Sequence, residues 1–158
     1  MNRIYCAIGK IVEVTQNIEL DIGEIIEKSE IIKEFSRHIR MTKQDYDQVV
    51  GDAGYLREKM DSMTFGQMIG IVYDSKSLSY DEINDLKALL EKRNYFTHEY
   101  FKYTKFGVNP KEEFIIEEFE ALKVYLGSLK KMLSRLEMIK AGQIDRLEYL
   151  MQKNNLNG

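Results

Sequence analysis

RIYCAIGKIVEVTQNIELDIGEIIEKSEIIKE, residues 3–34, decides the fold. Ile4, Ile8, Ile11, Val14 or Thr15, Ile18, Ile22, Ile25 and Ile26 recur at intervals of three and four, the 3.6-residue period of a helix with one apolar face. Isoleucine is only a middling helix former. An element this rich in it must therefore be held by packing rather than by propensity. One long helix over 3–34 is expected, and it needs partners along its whole length.

Working outward, the remaining segments read the same way. FSRHIRMT (35–42) is a joint, with His38 between Arg37 and Arg40 and solvated. Thr42 suits the cap of the next helix, with Asp45 in the reciprocal position usually held by Glu or Gln. That helix, 43–60, contains Gly51 and Gly54, which leave open a break into two pieces. Thr64 caps a short apolar helix, FGQMIGIVY (65–73), whose Gly66 and Gly70 would allow another backbone to approach closely. DSKSLS (74–79) is a turn ending in Ser79, which forms a capping box with Glu82 and starts a helix to about 103. Gly107 and Asn109-Pro110 break the chain there. Asn109 is a good cap and Pro110 fits a first helical position. A last long helix runs to about 152, with Gly127 and Gly142 as places to bend, and NNLNG is a frayed tail. No segment alternates as a strand does, and there is no internal repeat.

The expected architecture is all-α: a single domain over 1–158, an up-and-down bundle of four or five main helices with long first and last helices. Those two are long enough to reach past the bundle and pair with another subunit. A chain of 158 residues can bury roughly two-thirds of its unfolded surface without a staple. The single cysteine, Cys6, excludes an internal disulfide and reads as a small buried side chain. Arg3, Lys10 and Glu13 interrupt the N-terminus as a secretion signal, and no run reaches membrane-spanning length. A cytoplasmic protein with no membrane partner is the expectation. The net charge of −3, from 23 basic and 26 acidic residues, argues against a protein that coats nucleic acid but leaves room for a local site.

The chemistry concentrates in EKRNYFTHEYF, residues 91–101, which holds one of only two histidines. On a helix advancing about 100° per residue, Leu90, Thr97 and Phe101 fall within roughly 40° of Ile83 and Leu86 within about 60°, with Asn94 near the stripe's centre. Arg93 and His98 occupy its shoulders, about 140° apart. An apolar stripe thus turns polar partway along, where burial costs unless partners are found. Histidine passes protons near neutral pH, and the guanidinium fork matches phosphate. Asparagine can orient the imidazole or donate to a phosphate oxygen. Tyrosine can stack, hydrogen-bond or be modified. Together these suit RNA cleavage without a metal or other cofactor. His98 would accept the ribose 2′-OH proton, and Arg93 would stabilise the phosphorane. One chain supplies a single proton carrier here, whereas a two-fold dimer would supply two. The structural alternative is a satisfied seam, with Arg93 paired to Glu91, Asp85 or a neighbouring helix and the aromatics serving as packing.

Arg93-Asn94-Tyr95-Phe96-Thr97-His98 resembles the R-x4-H signature of the HEPN superfamily (higher eukaryotes and prokaryotes nucleotide-binding domains). With Tyr100 the stretch reads R-x4-H-x-Y and is similar to the toxin half of HEPN/minimal-nucleotidyltransferase toxin–antitoxin pairs. The resemblance implies a helical bundle that forms a homodimer with a composite cleft. It also implies a metal-independent endoribonuclease acting on RNA in toxin–antitoxin or phage-defence systems, with Arg93 and His98 catalytic and Asn94 and Tyr100 supporting. A nucleotidyltransferase antitoxin is the implied partner, and Tyr100 the implied adenylylation target. The superfamily also contains inactive modules, so a non-catalytic domain that binds a nucleotide or a partner protein is the alternative.

Overall fold

A computed structural model describes residues 1–157. Its elements are α1 (Asn2–Arg37), α2 (Lys43–Asp61), α3 (Phe65–Ser75), α4 (Tyr80–Asn94), a π-helical turn (Tyr95–Glu99), α5 (Tyr100–Tyr103) and α6 (Glu112–Lys153). α4, the π-turn and α5 follow one another directly, so the described chain is five helical rods and is all-α. Cross-links between elements set the directions. Arg93 meets Glu19 and Ser77 meets Ser29, so the α4 rod runs antiparallel to α1. Lys140 meets Asp21 and Gln143 meets the Ile25 carbonyl, so α6 runs parallel to α1. The order is up, down, up, down, up.

α1 is the spine. Its isoleucine stripe is buried at Ile4, Ile11, Ile18, Ile22, Ile25 and Ile26, each side chain contributing about 1.5–3 kcal/mol by leaving water. α6 lies against α1 and contributes Leu122, Leu129, Met132 and Leu136 to the same core, and α3 and α4 close it with Met68, Val72, Leu86 and Leu90. A second, smaller core of Ile31, Phe35, Met41, Val49, Ala53, Leu150 and Leu156 fills the far end. The two long helices pack against each other along the chain, and α2 covers their far end.

The starts of α2, α3 and α4 are reciprocal capping boxes: Thr42 with Asp45, Thr64 with Gln67, and Ser79 with Glu82. Each satisfies amide groups that the first helical turn leaves without partners. Thr64→Ala is expected to cost about 1 kcal/mol in urea unfolding, because α3 is short and has few other constraints.

Several expectations change. α2 is uninterrupted through Gly51 and Gly54, and α6 through Gly127 and Gly142, because packing on α1 outweighs glycine's helix cost. α6 starts at Glu112, two residues beyond Pro110 and without a side-chain cap, where Glu112 and Glu113 complement the positive helix end. The described part of the tail, 154–157, is not frayed; Gly158 lies outside the described residues. Asn155 adopts φ 55°, the Leu156 amide donates back to the Met151 carbonyl (2.9 Å), and Leu156 is buried. The Met41 amide donates to Asn154 Oδ1 (2.9 Å), tying tail to joint. Cys6 is exposed rather than buried. Gly66 and Gly70 face open space and meet no other backbone.

Candidate functional site

The expected helix over 80–103 is α-helical only to Asn94. Residues 95–99 widen into a π-turn, and the helical wheel drawn from Ile83 fails beyond it. Two local causes are visible. The Thr97 hydroxyl donates to the Arg93 carbonyl (3.0 Å) and reaches the Asn94 carbonyl (3.4 Å), competing with the backbone amides that would close α-helical turns. Phe96 and Tyr100 are also drawn towards α6. Phe96 stacks on Tyr125 at 4.8 Å between centroids, and the Tyr100 hydroxyl donates to Glu118 Oε2 (2.9 Å). So the polar stripe does not turn inward. Asn94, Thr97 and His98 are exposed, as is Phe101, while Phe96 is half-buried and Tyr100 buried. π-turns of this kind are rare and concentrate at functional positions.

Arg93 closes the last turn of α4. Its guanidinium donates to the Glu19 carboxylate on α1 and, at 3.2 Å, to Asn94 Oδ1. The arginine thus pairs with a neighbouring helix rather than with Glu91 or Asp85. Arg93 and Asn94 form one wall of a cleft of about 710 Å³ between α1, α2, α3 and α4. His98 is not in that lining; it lies exposed on the next turn. A single chain therefore brings Arg93 and Asn94 together and leaves His98 at the surface nearby.

Tyr100 sits on the inner side, within an aromatic cluster that includes Phe101 (5.2 Å) and Phe106 (6.0 Å). Burial, reinforced by the bond to Glu118, pushes its phenol well above the ordinary value of 10.0. It stays protonated and donates. Its neighbour Tyr125 is pushed up to about 12 by burial, and its hydroxyl donates to the Leu89 carbonyl. Tyr95 and Tyr103 are exposed instead.

Glu19, Arg57 and Glu118 escaped the sequence reading. Glu19 and Arg57 lie on the polar sides of α1 and α2, and Glu118 is one of several acids on α6. Nothing local distinguishes them; only packing brings them to the site. His38, by contrast, behaves as a joint residue, its Nδ1 on the Glu34 carbonyl at 2.8 Å. Among the described residues, no group of three or more His, Cys, Asp and Glu side chains is placed to hold a metal ion. No described helix is long and apolar enough to cross a membrane. Comparison with protein-family models, with curated proteins and with solved structures finds no match to this chain.

Proposed function

We propose that this chain is a metal-independent endoribonuclease of the HEPN type, of the kind used as toxins or phage-defence effectors, working as a homodimer. The observation that carries the reading is the R-x4-H-x-Y stretch on a π-turn. It sets His98 in solvent one turn from Arg93, which lines a cleft of about 710 Å³. Stability alone would favour an unbroken α-helix here, since π-turns are rare and interrupt its regular hydrogen bonding.

In the proposed reaction His98 accepts the proton of a ribose 2′-OH. The 2′-oxygen attacks the adjacent phosphorus, and the 5′-oxygen leaves with a proton from the His98 of a second copy. Arg93 stabilises the extra negative charge of the phosphorane, and its Glu19 partner must yield to the phosphate. Asn94 holds the guanidinium from the other side. The products are a 2′,3′-cyclic phosphate and a 5′-hydroxyl. Regulation by a nucleotidyltransferase antitoxin through Tyr100 would require the Tyr100–Glu118 bond and its aromatic cover to open.

The alternative, a non-catalytic module binding a nucleotide or a partner protein, is favoured by the same Glu19–Arg93 pair, which occupies the proposed phosphate ligand. Incubation of the purified protein with a mixed RNA pool in EDTA separates the two. Cleavage with 2′,3′-cyclic ends is expected; intact RNA at high protein concentration would favour the binding module.

A further inference from the structure

The cleft beside Arg93 holds a second guanidinium that the proposed reaction does not use. Arg57 reaches over from α2, and its Nη2 donates to the Leu20 carbonyl (3.3 Å), next in sequence to the Glu19 that pairs with Arg93. The two guanidiniums are thus anchored on adjacent residues of α1 while coming from different helices, and both line the same cleft. This placement has a cost written into α1. A Cβ at Gly23 would lie 1.4 Å from Arg57 Nη1, so only glycine lets the guanidinium rest there. A buried helical glycine gives up about 1 kcal/mol against alanine. Between the arginines the floor is soft and apolar, formed by Met60, Met63, Phe65 and Met68. Arg93 pairs with Glu19 and Arg57 with Glu27 on α1 (4.0 Å), so each positive charge has an acid beside it when the cleft is empty.

We infer that this cleft is a nucleotide subsite. One nucleotide of a single-stranded RNA next to the scissile bond would lay its base on the methionine and Phe65 floor. Its phosphate would lie between Arg57 and Arg93, displacing Glu19. Thioether and aromatic surfaces accept any base face. Each guanidinium matches phosphate by bidentate donation. The subsite would therefore select for a single strand without reading sequence closely. This inference rests on the ribonuclease reading, and Arg57 acts in it as a binding residue, not a catalytic one.

The test is fluorescence anisotropy with a labelled, mixed-sequence 2′-O-methyl oligoribonucleotide, which cannot be cut. Wild type is compared with Arg57→Gln and Gly66→Glu. Gly66 lies in the first turn of α3, lines the cleft and has open space at its Cβ. A glutamate there improves helix propensity and complements the helix end, so Gly66→Glu should raise Tm while repelling the phosphate. Each variant is expected to bind about tenfold more weakly, the worth of one charge-assisted hydrogen bond. If wild type binds and cuts RNA but both variants bind as tightly, the subsite is wrong and the ribonuclease reading survives. If both variants change the oligomeric state with no change in affinity, the cleft belongs to a contact between copies and the subsite is again wrong. If wild type neither binds nor cuts, both readings fall together.

Discussion

His98→Ala is expected to lower RNA cleavage by roughly 10⁴-fold while leaving Tm and oligomeric state unchanged. The size follows from removing a general acid–base, which contributes 10²–10⁴-fold. In the proposed composite dimer site the single substitution removes both base and acid, so the upper part of that range applies. The unchanged fold follows from position, since His98 is exposed on the outer side of the π-turn and belongs to neither core. Mixed dimers offer a sharper check. A wild-type chain paired with a His98→Ala chain should be nearly as inactive as the double variant, because base and acid come from different copies. Half-activity in mixed dimers would instead mean that each chain works alone. Persistent cleavage by His98→Ala would remove the mechanism altogether.

Lys140→Met is expected to destabilise the fold by about 3 kcal/mol, the loss typical when one partner of a buried charge pair is removed. Lys140 on α6 meets two acids on α1, with Nζ 2.8 Å from Asp21 Oδ1 and 2.6 Å from Glu24 Oε2. Asp21 is buried within the seam, and its second oxygen has no partner among the described residues. Without Lys140 that carboxylate would be stranded. Adding Asp21→Asn to Lys140→Met should recover part of the loss, and urea denaturation of the four combinations measures the coupling.

The same cluster shapes the response to acid. The hydrogen bond from Lys140 holds the Glu24 carboxyl below its ordinary value of 4.5, against the opposing pull of burial. A lowered folded-state value contributes stability that is present above about pH 4.5 and lost as pH falls through the lowered value. Wild-type stability should therefore decline on acidification below that point. Lys140→Met should flatten the decline, because its main cause is gone. Burial opposes the charge on Lys140, but bonds to Asp21 and Glu24 override it and raise its value. The corresponding loss comes only at strongly alkaline pH. Urea midpoints measured across the acid range check both expectations.

Much of the fold is legible because helix signals are local. Isoleucines at three- and four-residue intervals marked α1, and Thr42, Thr64 and Ser79 marked three helix starts that the structure repeats as capping boxes. The errors came where a local signal met a distant contact. Asn155 and Leu156 looked like a frayed end, but Leu156 finds the second core and the turn closes on it. Asn109-Pro110 looked like a helix start, but the helix begins where acids can face its positive end. Gly66 and Gly70 looked like a close approach, while the glycine that makes room for another side chain is Gly23.

By itself the sequence determined an all-α chain of four or five rods, their order, three of their caps, and a stretch from Arg93 to Tyr100 whose residue types suit phosphodiester chemistry. Each of those depends on interactions within a few residues. The tertiary structure decided which way that stretch faces. Phe96 and Tyr100 are pulled onto Tyr125 and Glu118 of α6, the helix opens into a π-turn, and His98 and Asn94 are left in solvent. It also decided the electrostatic partner of Arg93, a glutamate 74 residues away on α1. Periodicity reports which face of a helix is apolar. It carries no information on how two helices are set in register, and that register is what brings Glu19, Arg57 and Arg93 to one cleft.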